Sequence, residues 1–84
     1  MTTEAMKKDI RERMAFCVEK GCTDTTVRVH LSDGKQIDIW YFEEQDCFVW
    51  SHSTIGYDDG DELVADVVRW MEEKHLNAVN VESV

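Results

Sequence analysis

Two alternating runs separated by Ser32-Asp33-Gly34 constrain this chain more than any other feature. Val27, Val29 and Leu31 share one parity, with Arg28 and His30 on the other. Ile37, Ile39 and Tyr41 then alternate with Asp38, Trp40 and Phe42. Alternation of this kind marks strands with one buried face. Because the side-chain period is two, loop length decides which residues meet. A two-residue Asp-Gly turn would set Val29 against Asp38 and waste both faces. A three-residue loop with Gly34 left-handed pairs Val29 with Ile37, Val27 with Ile39 and Arg28 with Asp38. That register satisfies both faces and is the expected one.

The same parity argument carries into the next turn, Glu43-Glu44-Gln45-Asp46, which lacks glycine. An even, four-residue loop sends Phe48 and Trp50 of a third strand (Cys47 to His52) inward beside Ile39 and Tyr41, and leaves Val49 opposite Trp40 outside. An odd loop would reverse this. Upstream, Met6, Ile10, Met14 and Cys17 recur at helical spacing, which predicts a helix over residues 3–20, capped by Thr2 or Thr3 and ended by Gly21. Phe16 and Val18 are expected to widen its apolar stripe, with Lys7, Lys8, Arg11 and Arg13 mostly on the wet side. After a connection from Ser53 to Tyr57, Asp59 and Glu62 make a capping box. Leu63, Val64, Val67, Val68, Trp70 and Met71 form a broad helical stripe ending at Asn77. From Ala78 to Val84 the pattern alternates again, with Val79 and Val81 on one side.

These readings describe an α+β fold: helix, three-stranded antiparallel meander, helix, with room for a short C-terminal edge strand. Both helices should cover one sheet face, around Ile10, Met14, Val29, Ile39, Leu63, Val67 and Trp70. The 84 residues suit one domain, 1–84, with a single modest core.

Charge is the most informative feature for function. The net charge is −9, and it is uneven. Residues 1–20 carry four acids and five bases, whereas from Gln36 to Val68 there are nine carboxylates and no Lys or Arg. Asp58, Asp59, Asp61 and Glu62 crowd the mouth of the second helix, with Asp66 a turn later. One or two acids there are explained by capping and by the helix dipole; this many exceed that need. Glu43, Glu44 and Asp46 crowd a hairpin tip, where a solvated turn is the plain reading. Two clusters with no intervening base can imitate the phosphate rail of a duplex, with one charge per roughly 1.7 Å of axis. Such a surface is drawn to Lys/Arg grooves. On the outer face, Trp40 and Phe42, with Val49, suggest a dimer seam or the apolar centre of an interface, unless the fourth strand or a loop covers them.

Other chemistries fit less well. Tyr57-Asp58-Asp59-Gly60-Asp61-Glu62 has the acids of a calcium loop but not the spacing. Cys17, Cys22 and Cys47 with His30, His52 and His75 lack the close ligand pairs of structural zinc. Cys47 and His52 lack a third group to orient a base. There is no glycine-rich phosphate loop. An odd cysteine count without CxxC is expected to mean buried thiols in a reducing compartment. No apolar run approaches membrane-spanning length, and Met1 to Arg13 has no signal-peptide centre. The expectation is therefore a cytoplasmic, non-enzymatic protein without cofactor or metal, off the membrane.

The element order resembles the double-stranded RNA-binding domain, a family that grips phosphate with lysines at the start of its second helix. The matching stretch here, Asp58-Asp59-Gly60-Asp61-Glu62, has the opposite charge and opposes RNA binding. Across roughly residues 25–75 the chain also resembles small acidic anti-CRISPR proteins of phages, in a meander of the form Val-x-Leu-Ser-Asp-Gly followed by an acidic second helix. That resemblance implies an inhibitor whose acids occupy a basic nucleic-acid channel of an effector complex. Glu43, Glu44, Asp46 and residues 58–62 would be the matching positions. The leading expectation is a partner-binding surface of Glu43, Glu44, Asp46, Asp58, Asp59, Asp61, Glu62, Asp66, Trp40 and Phe42, offered to a basic protein surface and not to nucleic acid directly. The alternatives are an immunity or antitoxin-like protein that neutralises a basic toxin and a metal-dependent module.

Overall fold

The structure is a computed structural model, and residues 1–21, 24–53 and 55–84 are described. They form two helices and a four-stranded antiparallel sheet in the order α1 (Thr3–Lys20), β1 (Thr26–Leu31), β2 (Gln36–Phe42), β3 (Cys47–Trp50), α2 (Gly60–Glu73) and β4 (Ala78–Ser83). The sheet order is β3-β2-β1-β4. The C-terminal segment is thus an edge strand on β1, and the fold is α+β.

The first hairpin has the expected register, with Val29 opposite Ile37, Val27 opposite Ile39 and Arg28 opposite Asp38. Gly34 takes φ +86, and its N–H donates to the Leu31 carbonyl at 3.0 Å. The second loop is even: Trp40 faces Val49 and Tyr41 faces Phe48. Phe48 and Trp50 therefore point into the core, and the Tyr41 and Phe48 rings meet with centroids 4.9 Å apart. Thr2 caps α1 by accepting from the Ala5 N–H at 3.1 Å, and Gly21 closes it at φ 64.

Both helices cover the face bearing Val27, Val29, Leu31, Ile37, Ile39 and Tyr41. Met6, Ile10, Met14 and Cys17 of α1 and Leu63, Val64, Val67 and Met71 of α2 complete the core. At about 25 cal/mol per Å² of apolar surface removed from water, this shared core is what holds the elements together.

Five expectations need correction. Phe16 and Val18 are exposed, because each lies about a quarter turn off the buried stripe and no described residue buries the flanks of α1 there. Trp70 is only partly buried and packs beside the core rather than within it. The third strand stops at Trp50, where Ser53 Oγ accepts from the Trp50 N–H at 3.0 Å and Ser51 Oγ accepts from the Asp38 N–H at 2.7 Å; His52 lies beyond it in a turn. The second helix ends at Glu73, before Asn77, as His75 turns left-handed at φ 56. A register shift between His30 and Leu31 turns Val79 outward to 57% exposure while Ala78 and Val81 are buried, so Val79 and Val81 do not share a side. Cys17 and Cys47 are buried; Cys22, and with it the Cys17–Cys22 spacing, lies outside the described residues.

Candidate functional site

The two acidic clusters meet through one backbone pair. Phe48 N–H donates to the Tyr57 carbonyl at 2.8 Å, and Tyr57 N–H returns the bond at 2.7 Å. Because this pairing is antiparallel, the chain before Phe48 and the chain after Tyr57 run out at the same end. The stretches that carry Asp46 and Asp58, 12 residues apart in sequence, therefore leave the bridge at the same end. The start of α2 continues that end, and Gly60 packs against Met14 of α1.

Within this end the carboxylates have different roles. Asp59 is the N-cap of α2, its Oδ1 accepting from the Asp61 N–H at 2.9 Å. Asp61 pairs with Arg11 Nε at 2.9 Å across the two helices. Asp66 accepts from the Tyr57 hydroxyl at 2.6 Å and from Arg69 at 3.0 Å. Asp46 sits left-handed at φ 47 and accepts from the Tyr41 hydroxyl at 2.8 Å. These bonds hold both tyrosines above the ordinary phenol range: the hydrogen bond to the carboxylate is the main cause and burial adds to it.

Glu43, Glu44, Asp58 and Glu62 are exposed and enter no ion pair among the described residues. Glu43 lies on a 3-10 turn (Glu43–Gln45) with its carboxylate against Gly21 at the end of α1. Phe42, Glu43 and Glu44 border one open depression. Trp40 and Phe42 are 36% and 48% exposed on the outer sheet face. The fourth strand does not cover them, since it pairs with the edge of β1 that faces away from β2. The surface is therefore acidic at the end and aromatic on the adjoining face.

Sequence reasoning missed the tyrosines that hold Asp46 and Asp66, and it missed Arg11 as the partner of Asp61. A tyrosine five residues before Asp46 gives no signal without the loop geometry, and Arg11 lies 50 residues from Asp61. It also missed a polar ladder across the outer face. Arg28 Nε reaches Asp38 at 2.8 Å, Glu82 stands opposite Arg28 on β4, and His30 contacts Glu82. The Asp38 hydrogen bond is the main reason the Arg28 guanidinium is held above its usual range. Only the Arg28–Asp38 half of that ladder follows from the hairpin register.

Among the described residues, no three His, Cys, Asp or Glu side chains converge as metal ligands would, and no helix is long and apolar enough to cross a membrane. Cys47 Sγ points to Gln45 while His52 stacks on Trp70. Comparison with protein-family models, with curated proteins and with solved structures found no match to this chain.

Proposed function

We propose that the protein is a non-enzymatic binder, and specifically an inhibitor, that presents its acidic end to a basic surface of a partner protein. The observation that carries this reading is that one backbone pair, Phe48 with Tyr57, brings together two clusters whose exposed members Glu43, Glu44, Asp58 and Glu62 form no ion pair among the described residues. Keeping like charges together opposes compaction, so retaining them unneutralised favours a partner that supplies the counter-charge. Asp46, Asp59, Asp61 and Asp66, fixed by local bonds, hold the rim in place. Trp40 and Phe42 add an exposed apolar patch on the adjoining face. Desolvated aromatics of that kind dominate many interfaces.

The partner class is a nucleic-acid-binding protein or complex whose Lys/Arg groove normally holds phosphate, with the acids standing in for the duplex. A CRISPR effector is the example that the resemblance to acidic phage inhibitors suggests, and the cytoplasm is where such a partner would be met. Capture of partners from a bacterial lysate by the tagged protein tests this, using the parent and a Glu43→Gln, Glu44→Gln, Asp58→Asn, Glu62→Gln variant. The expected result is a nucleic-acid-binding protein that is released by duplex DNA, by salt and by the four substitutions. Binding indifferent to all three would overturn the reading.

A further inference from the structure

We infer that the end of the molecule opposite the acidic clusters carries a small-ligand subsite for a planar ring joined to a phosphate. It is built by His52, Trp70, Lys35 and Lys74. The chain turns sharply after β3, which carries His52 off the strand and onto α2. There its ring stacks on Trp70 at a centroid distance of 4.6 Å and an interplanar angle of 20°. Trp50 braces both rings edge-on, at 5.4 Å from His52 and 6.0 Å from Trp70. His52 is nevertheless exposed. A braced ring with an exposed side is a platform on which a second planar ring can stack without much further ordering.

The charge beside this platform runs against the net charge of the chain. Lys35, from the β1–β2 turn, and Lys74, from the end of α2, line the same groove of about 390 Å³. That is near the lower end of the roughly 300–1,000 Å³ of small-molecule sites. Of the nine lysines and arginines, Lys7, Arg11, Arg13, Arg28 and Arg69 are ion-paired. Lys8, Lys20, Lys35 and Lys74 are in no ion pair among the described residues, and of these four Lys35 and Lys74 line this groove. The one carboxylate lining the groove, Asp33, is engaged by its own turn, accepting from the Lys35 N–H at 2.9 Å. Two ammonium groups beside an aromatic stack match a base and its phosphate, with lysine acting as a point charge on the anion. The net charge of −9 repels a long polyanion far more than a single phosphate. The fitting ligand is therefore a nucleoside monophosphate rather than a strand.

Titration with AMP, followed by tryptophan fluorescence and by amide and indole NMR shifts, tests this on the full chain. Adenosine, inorganic phosphate, hexaglutamate and a six-nucleotide thymidine strand serve as comparison ligands. AMP is expected to saturate, with shifts centred on Trp70, Lys35 and Lys74, and to bind at least about tenfold more tightly than adenosine or phosphate alone. His52→Ala and the Lys35→Ala/Lys74→Ala pair should each weaken it by roughly tenfold, with the lysine pair melting as the parent does. Tighter binding of the strand than of AMP would overturn the assignment to a nucleoside monophosphate. The inference is overturned if AMP does not saturate, if hexaglutamate binds as tightly as AMP, or if the lysine pair can be removed without effect.

Discussion

The Tyr57 hydroxyl donates to Asp66 Oδ2 at 2.6 Å, fastening the connection that precedes α2 to the second turn of that helix. The same tyrosine is bonded through its backbone to Phe48. One residue therefore ties the sheet edge, the connection and the helix together. Tyr57→Phe keeps the ring but leaves Asp66 with Arg69 alone, so it should cost about 1 kcal/mol of stability. Chemical denaturation of both proteins measures this; equal midpoints would mean the hydroxyl bond is replaced by water without loss.

The two phenols also tie the stability of the fold to pH on the alkaline side. Tyr41 and Tyr57 are both held above the ordinary value of 10.0, chiefly by their bonds to Asp46 and Asp66. The folded chain then holds these protons more tightly than the unfolded chain. Their contribution is complete below about pH 10 and is lost as pH rises through the raised folded values. The Tyr41→Phe/Tyr57→Phe variant should therefore show a shallower fall in melting temperature above pH 10 than the parent. Parallel curves would show that other groups cause the fall.

The placement of Trp70 reverses an ordinary ranking by size. Leu63 is fully buried between α2 and the sheet, whereas Trp70 sits beside the core against Trp50 and His52. Leu63→Ala should cost roughly 2–5 kcal/mol, and Trp70→Ala clearly less than the 3–5 kcal/mol of a core aromatic. Urea unfolding of the two variants decides it, and a larger loss at Trp70 would overturn the packing described for α2.

Gly34 carries the three-residue hairpin loop at φ +86, where a Cβ is strained. Gly34→Ala should lose on the order of 1 kcal/mol, and Gly34→Asn less, since asparagine tolerates the left-handed region better. Similar melts for Ala and Asn would show that the loop relaxes instead.

The meander was legible because parity propagates. Once Gly34 sets an odd loop, Val29 must meet Ile37, and a four-residue second loop puts Phe48 beside Tyr41. Parity fails where a strand is irregular, as at Val79, because a bulge inserts a residue that no alternation announces. Apolar identity alone did not place Phe16, Val18 or Trp70, since burial depends on what the rest of the fold puts opposite each of them. Of the acidic surface, the sequence displayed the residues and their helix-mouth position. It did not display which carboxylates are already engaged. Arg11 and Tyr57 find their partners only after the chain has folded.

That division among the carboxylates predicts opposite responses at the two clusters. Asp59, Asp61 and Glu62 stand at the N-terminus of α2, where negative charge meets the positive end of the helix dipole, and Asp59 caps a backbone N–H there. Asp59→Ala should cost about 1 kcal/mol. Glu43 instead lies against Gly21 at the C-terminal end of α1, where the dipole is negative and a carboxylate is disfavoured by a few tenths of a kcal/mol to about 1 kcal/mol. Glu44 adds like charge beside it. Glu43→Gln/Glu44→Gln should therefore raise the melting temperature at low salt, and the gain should shrink toward 1 M salt, where charges are screened over about 3 Å. A fold that becomes more stable while partner binding weakens is what a surface kept for recognition would show. If the double variant melts lower than the parent at every salt concentration, Glu43 and Glu44 hold the loop itself, and the premise of an exposed, uncommitted acidic end fails.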